Sequence, residues 1–107
     1  MGRNEKQNGR MAKKINTTKR FESSVKSLHS YLKKEWSTKV ANNFLLQLKE
    51  RVEHISTYPE IGMPSKKNNV RSVIVGKHNR MYYLFTDQQI TLLLLWDTRM
   101  NPASNPY

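Results

Sequence analysis

The stretch Gln89–Trp96 (QITLLLLW) restricts this chain more than any other. Ile90, Leu92, Leu94 and Trp96 alternate with Thr91, Leu93 and Leu95, so a strand here is apolar on both faces. Such a strand belongs in the interior of a sheet, with neighbours along its edges and cover on its faces. The neighbours precede it. Val70–Val75 and Asn79–Thr86 read as two further strands, divided by a turn at Gly76–His78 and joined to the last strand by a tight hairpin turn at Asp87-Gln88. In the middle strand Met81, Tyr83 and Phe85 share one face, and Arg80, Tyr82 and Leu84 share the other.

The cover comes from upstream. Phe21, Val25, Leu28, Leu32 and Trp36 recur at steps of three and four, which predicts a helix from about Lys19 to Trp36, with Thr18 as its N-cap. His29 lies beside Leu28 as a partly exposed surface residue. Ser37 offers a second N-cap, and Val40, Phe44, Leu45, Leu48, Val52 and Ile55 form the stripe of a second helix running to about Tyr58. Pro59 stops it, and Tyr58–Pro64 reads as a turn-rich connection. So short a link between two helices predicts an antiparallel hairpin. Lys14–Thr17 can form a short first strand, with Ile15 as its apolar member. The expected architecture is α+β, in the order β-α-α-β-β-β, with the helical hairpin on one face of a mainly antiparallel sheet and the other face partly open.

Length and composition limit what this fold can do. At 107 residues the chain is one domain. No apolar run approaches the roughly 18 residues of a membrane span, so no membrane partner is expected. With no cysteine, disulfides, thiolate catalysis and cysteine-ligated zinc are excluded, and a reducing cytoplasm is the expected location. His29, His54 and His78 lie too far apart for a helical metal pair, and no cofactor is expected. Residues 1–13 read as a disordered basic arm without the apolar segment of a signal peptide, Met11 being a possible start, and residues 14–107 as the folded domain. The net charge is +11, and it stays positive when the first twenty residues are set aside, so a polyanionic partner is expected, either nucleic acid or an acidic protein.

Four fragments in order, Tyr58-Pro59-Glu60-Ile61-Gly62, Val70–Val75, Tyr82-Tyr83-Leu84-Phe85 and Leu95-Trp96-Asp97-Thr98-Arg99 followed by Asn101-Pro102, resemble the RelE/ParE superfamily of toxins from bacterial type II toxin–antitoxin pairs. The likeness covers about residues 13–102, and its ending resembles a plasmid-stabilisation-like subgroup. It implies a small basic toxin neutralised by an acidic antitoxin encoded in an adjacent gene. Two activities occur on this fold. RelE-like members cut mRNA in the ribosomal A site; ParE-like members inhibit DNA gyrase without nuclease chemistry. The expectation placed first is inhibition of translation by ribosome-dependent, metal-independent mRNA cleavage, with ribosome and mRNA as partners. The alternative is a gyrase inhibitor, or an inactive member that only binds its antitoxin.

Cleavage of this kind needs a base for the ribose 2′-hydroxyl, a cation for the charge growing on phosphorus, and an acid for the leaving oxygen. Arg71 and Arg99 match the arginines that the resemblance places on the second strand and near the C-terminus. With Arg80 they are the candidates for phosphate, since a guanidinium stays charged and grips phosphate through a planar fork. His78 is the histidine nearest this cluster and the candidate acid or base. Lys66, Lys67 and Lys77 are candidates for RNA binding, and Tyr82, on the Arg80 face, for stacking a splayed base. Two departures weaken the cleavage reading. Asp97 stands where many relatives carry histidine, and no acidic residue lies between Glu60 and Asp87 to serve as a base. Tyr107, at the end of the chain, is expected to be mobile.

Overall fold

A computed structural model describes residues 11–107. All but the last three residues of the expected N-terminal arm lie outside the described residues, and the last of those three, Lys13, is docked: its main-chain N–H donates to Ser56 O at 2.8 Å. The chain then runs β1 (Lys14–Thr17), α1 (Lys19–Glu35), α2 (Thr38–Thr57), a 3-10 turn at Pro59–Ile61, β2 (Met63–Pro64), β3 (Val70–Val75), β4 (Asn79–Phe85), β5 (Gln89–Asp97) and a 3-10 turn at Pro102–Ser104. The sheet order is β1-β5-β4-β3-β2. All neighbours are antiparallel except β1, which lies parallel to β5. β5 is interior, as an all-apolar strand requires.

Local chemistry sets the helix ends. Thr18 accepts a hydrogen bond from Phe21 N, and Ser37 accepts one from Val40 N. Each satisfies one of the orphan donors of a helix start. His29 reaches across the hairpin to Asn42, with 3.2 Å between its Nε2 and Asn42 Oδ1. The helices cover one face of the sheet. Phe21, Phe44, Leu48 and Ile55 pack there on Val75, Met81, Tyr83, Ile90, Leu92 and Leu95. The second face carries a smaller cluster of Val70, Tyr82, Leu94 and Trp96.

The structure corrects four details. The strict alternation expected along β5 is broken. Tyr82 pairs with Leu94 but Tyr83 with Leu92, so Leu93 is an extra residue. Such a bulge reverses the facing of everything after it. Leu95 therefore joins Ile90 and Leu92 under the helices, while Leu94 and Trp96 face the other way. Second, Met63–Pro64 forms a two-residue edge strand on β3 where only a connection was expected. Third, the α2 stripe is rotated by one residue at its start: Ala41 is buried and Val40 is exposed. Fourth, Trp36 is the C-cap of α1 and is 71% exposed, so it contributes nothing to the core.

Candidate functional site

The candidate residues divide between the two faces of the sheet. Arg71 pairs across the ladder with Tyr83, so it lies on the helix side. Its Nη1 donates to Gly62 O at 2.7 Å, and its guanidinium carbon is 5.9 Å from the centre of the Phe85 ring. Arg80 pairs with Ile74 and Trp96, which puts it on the opposite face. Its Nη1 donates to the buried Ser72 Oγ at 2.9 Å. The two arginines that sequence reasoning grouped together are thus separated by the thickness of the sheet.

Arg71 closes a small polar lock. Tyr83 is fully buried, and its hydroxyl donates to Pro59 O at 2.5 Å and accepts from Gly62 N at 3.1 Å. Arg71 takes Gly62 O, so both main-chain groups of Gly62 are held by side chains from β3 and β4. Burial pushes the Tyr83 phenol above its ordinary pKa, against smaller opposing effects of the Gly62 hydrogen bond and the Arg71 charge. So engaged, Arg71 ties the link after α2 to β3. Arg71→Ala is expected to lower the unfolding free energy by about 1.5–3 kcal/mol, the range for a hydrogen bond from a charged group. Urea denaturation at neutral pH measures it.

A second group gathers at the far end of the sheet. The main-chain oxygen of His78 accepts from Thr98 N at 2.8 Å, which fixes the β3–β4 turn to the end of β5. Asp97 grips Arg99 in a fork: Arg99 Nε is 3.0 Å from Oδ1 and Nη2 is 2.8 Å from Oδ2, while Arg99 N caps Oδ1 at 2.9 Å. The hydrogen bonds from Arg99 hold the Asp97 carboxyl below its ordinary pKa, with a minor contribution from the charge of His78. Arg99 thus pairs with Asp97 at the surface, where solvent screens the pair. His78, Asp97 and Arg99 come together here, and Lys77 is exposed in the same turn. Beside them an open groove of about 570 Å³ runs between α1 and β5, lined by Leu28, Tyr31, Leu95, Trp96, Asp97 and Met100 among others.

The remaining candidates meet on the second sheet face, around a residue that the sequence reading expected to be mobile. Tyr107 is held against the domain. Its ring stacks on Tyr82, with centroids 5.2 Å apart and planes 29° from parallel. Lys67 Nζ lies 5.1 Å from the Tyr107 ring centre, and Ser65 Oγ donates to its main-chain oxygen at 2.6 Å. Asn105 Nδ2 donates to the Tyr82 hydroxyl at 2.9 Å. Lys66 is exposed in the loop before β3. Neither Tyr107 nor Asn105 carried a periodic signal; the tyrosine itself, after Asn-Pro, was the one hint that this segment had something to bury.

Two helices cover one face of a five-stranded sheet, and basic residues lie on both of its faces. Residues 15–102 match the model of the ParE toxin of type II toxin–antitoxin systems, parDE, and the chain belongs to that family. It is a toxin of the type II toxin–antitoxin class. No curated protein sequence matches the chain. Solved structures match its fold. One is from the chromosomal ParDE toxin–antitoxin system of P. aeruginosa, with TM-score 0.70 and 12% identity over 80% of this chain and 96% of that one. The E. coli DinJ-YafQ toxin–antitoxin complex matches with TM-score 0.55 and 12% identity over 83% and 96%. A conserved hypothetical protein from Helicobacter pylori matches with TM-score 0.53 and 22% identity over 83% and 97%.

Proposed function

We propose that this chain arrests growth by binding DNA gyrase, without chemistry of its own, and that an acidic antitoxin from an adjacent gene neutralises it. The observation that carries this reading is the engagement of the arginines. Arg71 donates to Gly62 O, Arg99 pairs with Asp97 at the surface, and Arg71 and Arg80 lie on opposite faces. A phosphoryl-transfer site needs cations and a base converging on one point. The family match to a ParE toxin supports the same reading. The antitoxin follows from the positive charge of the domain, which an acidic partner complements.

Cleavage of mRNA on the ribosome is the second reading, and one observation favours it: Arg80, Tyr82 and Lys67 share the open face of the sheet. The two readings separate in one pair of assays. Purified protein is expected to inhibit supercoiling by gyrase and to leave mRNA on translating ribosomes uncut. Cuts at codon positions, with supercoiling unaffected, would reverse the assignment. Expression of the chain is expected to stop growth, and co-expression of the neighbouring acidic protein to restore it.

A further inference from the structure

Tyr107 lies against the second face of the sheet. Its ring is stacked on the face of Tyr82, faces an ammonium group from Lys67, and belongs to a residue whose main-chain oxygen is taken by the Ser65 hydroxyl. A flat π-surface with a cation over the stacked ring, and a hydroxyl donor holding the main-chain oxygen nearby, is equipment that can hold a nucleobase and its backbone. The surroundings suit a polyanion. Lys66 and Lys67 lie in the loop beside it, Arg80 lies along the same strand face, and no acidic residue occurs between Glu60 and Asp87.

The segment carrying Tyr107 is held at its tip. Residues 98–104 are exposed, and the hydrogen bonds of Met100, Ala103 and Ser104 stay within the segment or return to Asp97. Firm attachment to the sheet face begins at Asn105, which bonds the Tyr82 hydroxyl and accepts from Tyr107 N at 2.9 Å. A segment anchored at Thr98 and again from Asn105, and bonded only to itself and Asp97 between them, can lift its far part without disturbing the core. With Tyr107 in place Tyr82 is 8% exposed, so no second ring can stack on it.

We propose that Tyr107 is a built-in occupant of a base-stacking site on Tyr82, and that residues 101–107 form a strap that lifts when an unpaired base of single-stranded nucleic acid binds there. Strap and ligand exclude one another. The apparent affinity for a strand is then the intrinsic affinity reduced by the fraction of time the strap is open. One aromatic stack is worth a factor of roughly three to ten in that equilibrium.

The test is the anisotropy of short fluorescein-labelled single strands, RNA and DNA in separate arms, titrated at low salt with the full chain. Tyr107→Ala is expected to bind roughly three to ten times more tightly than the wild type. Tyr107→Phe keeps the ring and is expected to match the wild type. Tyr82→Leu keeps apolar bulk without a stacking plane, and in the Tyr107→Ala background it is expected to cancel the gain. NMR adds a structural readout: the Tyr82–Tyr107 ring contacts are expected to vanish as the strand is added. Equal or weaker binding by Tyr107→Ala, a gain that survives Tyr82→Leu, or no binding of either strand by any variant overturns the proposal. The arm that binds more tightly identifies the strand. The supercoiling and ribosome assays do not enter this comparison, so the strap can stand or fall apart from the gyrase reading.

Discussion

Gly62→Ala is expected to cost this fold about 3 kcal/mol. The reason is space, since Gly62 has φ of −70°, which every residue tolerates. A Cβ at this position would overlap the Tyr83 hydroxyl and lie 2.9 Å from Ser72 O and 3.0 Å from Arg71 Cβ. None of these can retreat freely. Tyr83 is clamped by Pro59 O and Gly62 N, Ser72 O belongs to the β3 backbone, and Arg71 is tied to Gly62 O. Relief requires moving the segment that links α2 to the sheet, and with it the edge strand at Met63–Pro64. For a domain of this size the loss corresponds to a fall in melting temperature on the order of 10–20 °C. Calorimetry decides it; a melting temperature within a few degrees of the wild type would show that the link shifts at little cost.

Much of this fold could be read from the chain because local signals agree with one another. Thr18 and Ser37 announce helix starts, Pro59 announces a stop, and the alternation in Asn79–Phe85 puts Met81 and Tyr83 on one face and Arg80 and Tyr82 on the other. What escaped has a physical reason in each case. Four consecutive leucines, Leu92–Leu95, carry no alternation, so a bulge among them leaves no trace in the sequence. The edge strand Met63–Pro64 owes its existence to β3 beside it and has no pattern of its own. Trp36 continues a helical stripe by spacing, but α1 has already ended at Glu35 and the ring stays in solvent.

The candidate site was less legible, because grouping residues across strands needs a register. Strand parity says where Arg71 lies relative to Ser72, and Arg80 relative to Met81. It does not relate the two strands until the turn is known. With Val75 opposite Asn79, Arg71 falls opposite Tyr83 and Arg80 opposite Ile74, and the two guanidiniums part company. The Asp97–Arg99 fork could be anticipated from the spacing, since two residues at a strand end can share a turn. The docking of Tyr107 could not, because it depends on Ser65 and Lys67, forty residues earlier in the chain.

Tyr83→Phe is expected to remove about 2–3 kcal/mol, and it tests the polar lock from the other side. The phenyl ring keeps the packing under the helices, but Pro59 O loses its donor and Gly62 N its acceptor, both in a buried place. The loss should depend on pH in a definite direction. Burial raises the folded-state pKa of Tyr83 above the unfolded value of 10.0. Between those two values the native state holds a proton that the unfolded chain has released, so stability falls as pH rises. The advantage of wild type over Tyr83→Phe is therefore full below about pH 10 and shrinks above it. Urea denaturation of both proteins from pH 7 upward measures the difference; a gap that stays constant past pH 10 would mean the phenol ionises as easily folded as unfolded. The two substitutions are also coupled. Removing the hydroxyl removes the atom that a Cβ at position 62 strikes first, so Gly62→Ala added to Tyr83→Phe should cost less than Gly62→Ala alone, by roughly 1 kcal/mol or more. Additive losses would place the obstruction at Ser72 O and Arg71 rather than at the tyrosine.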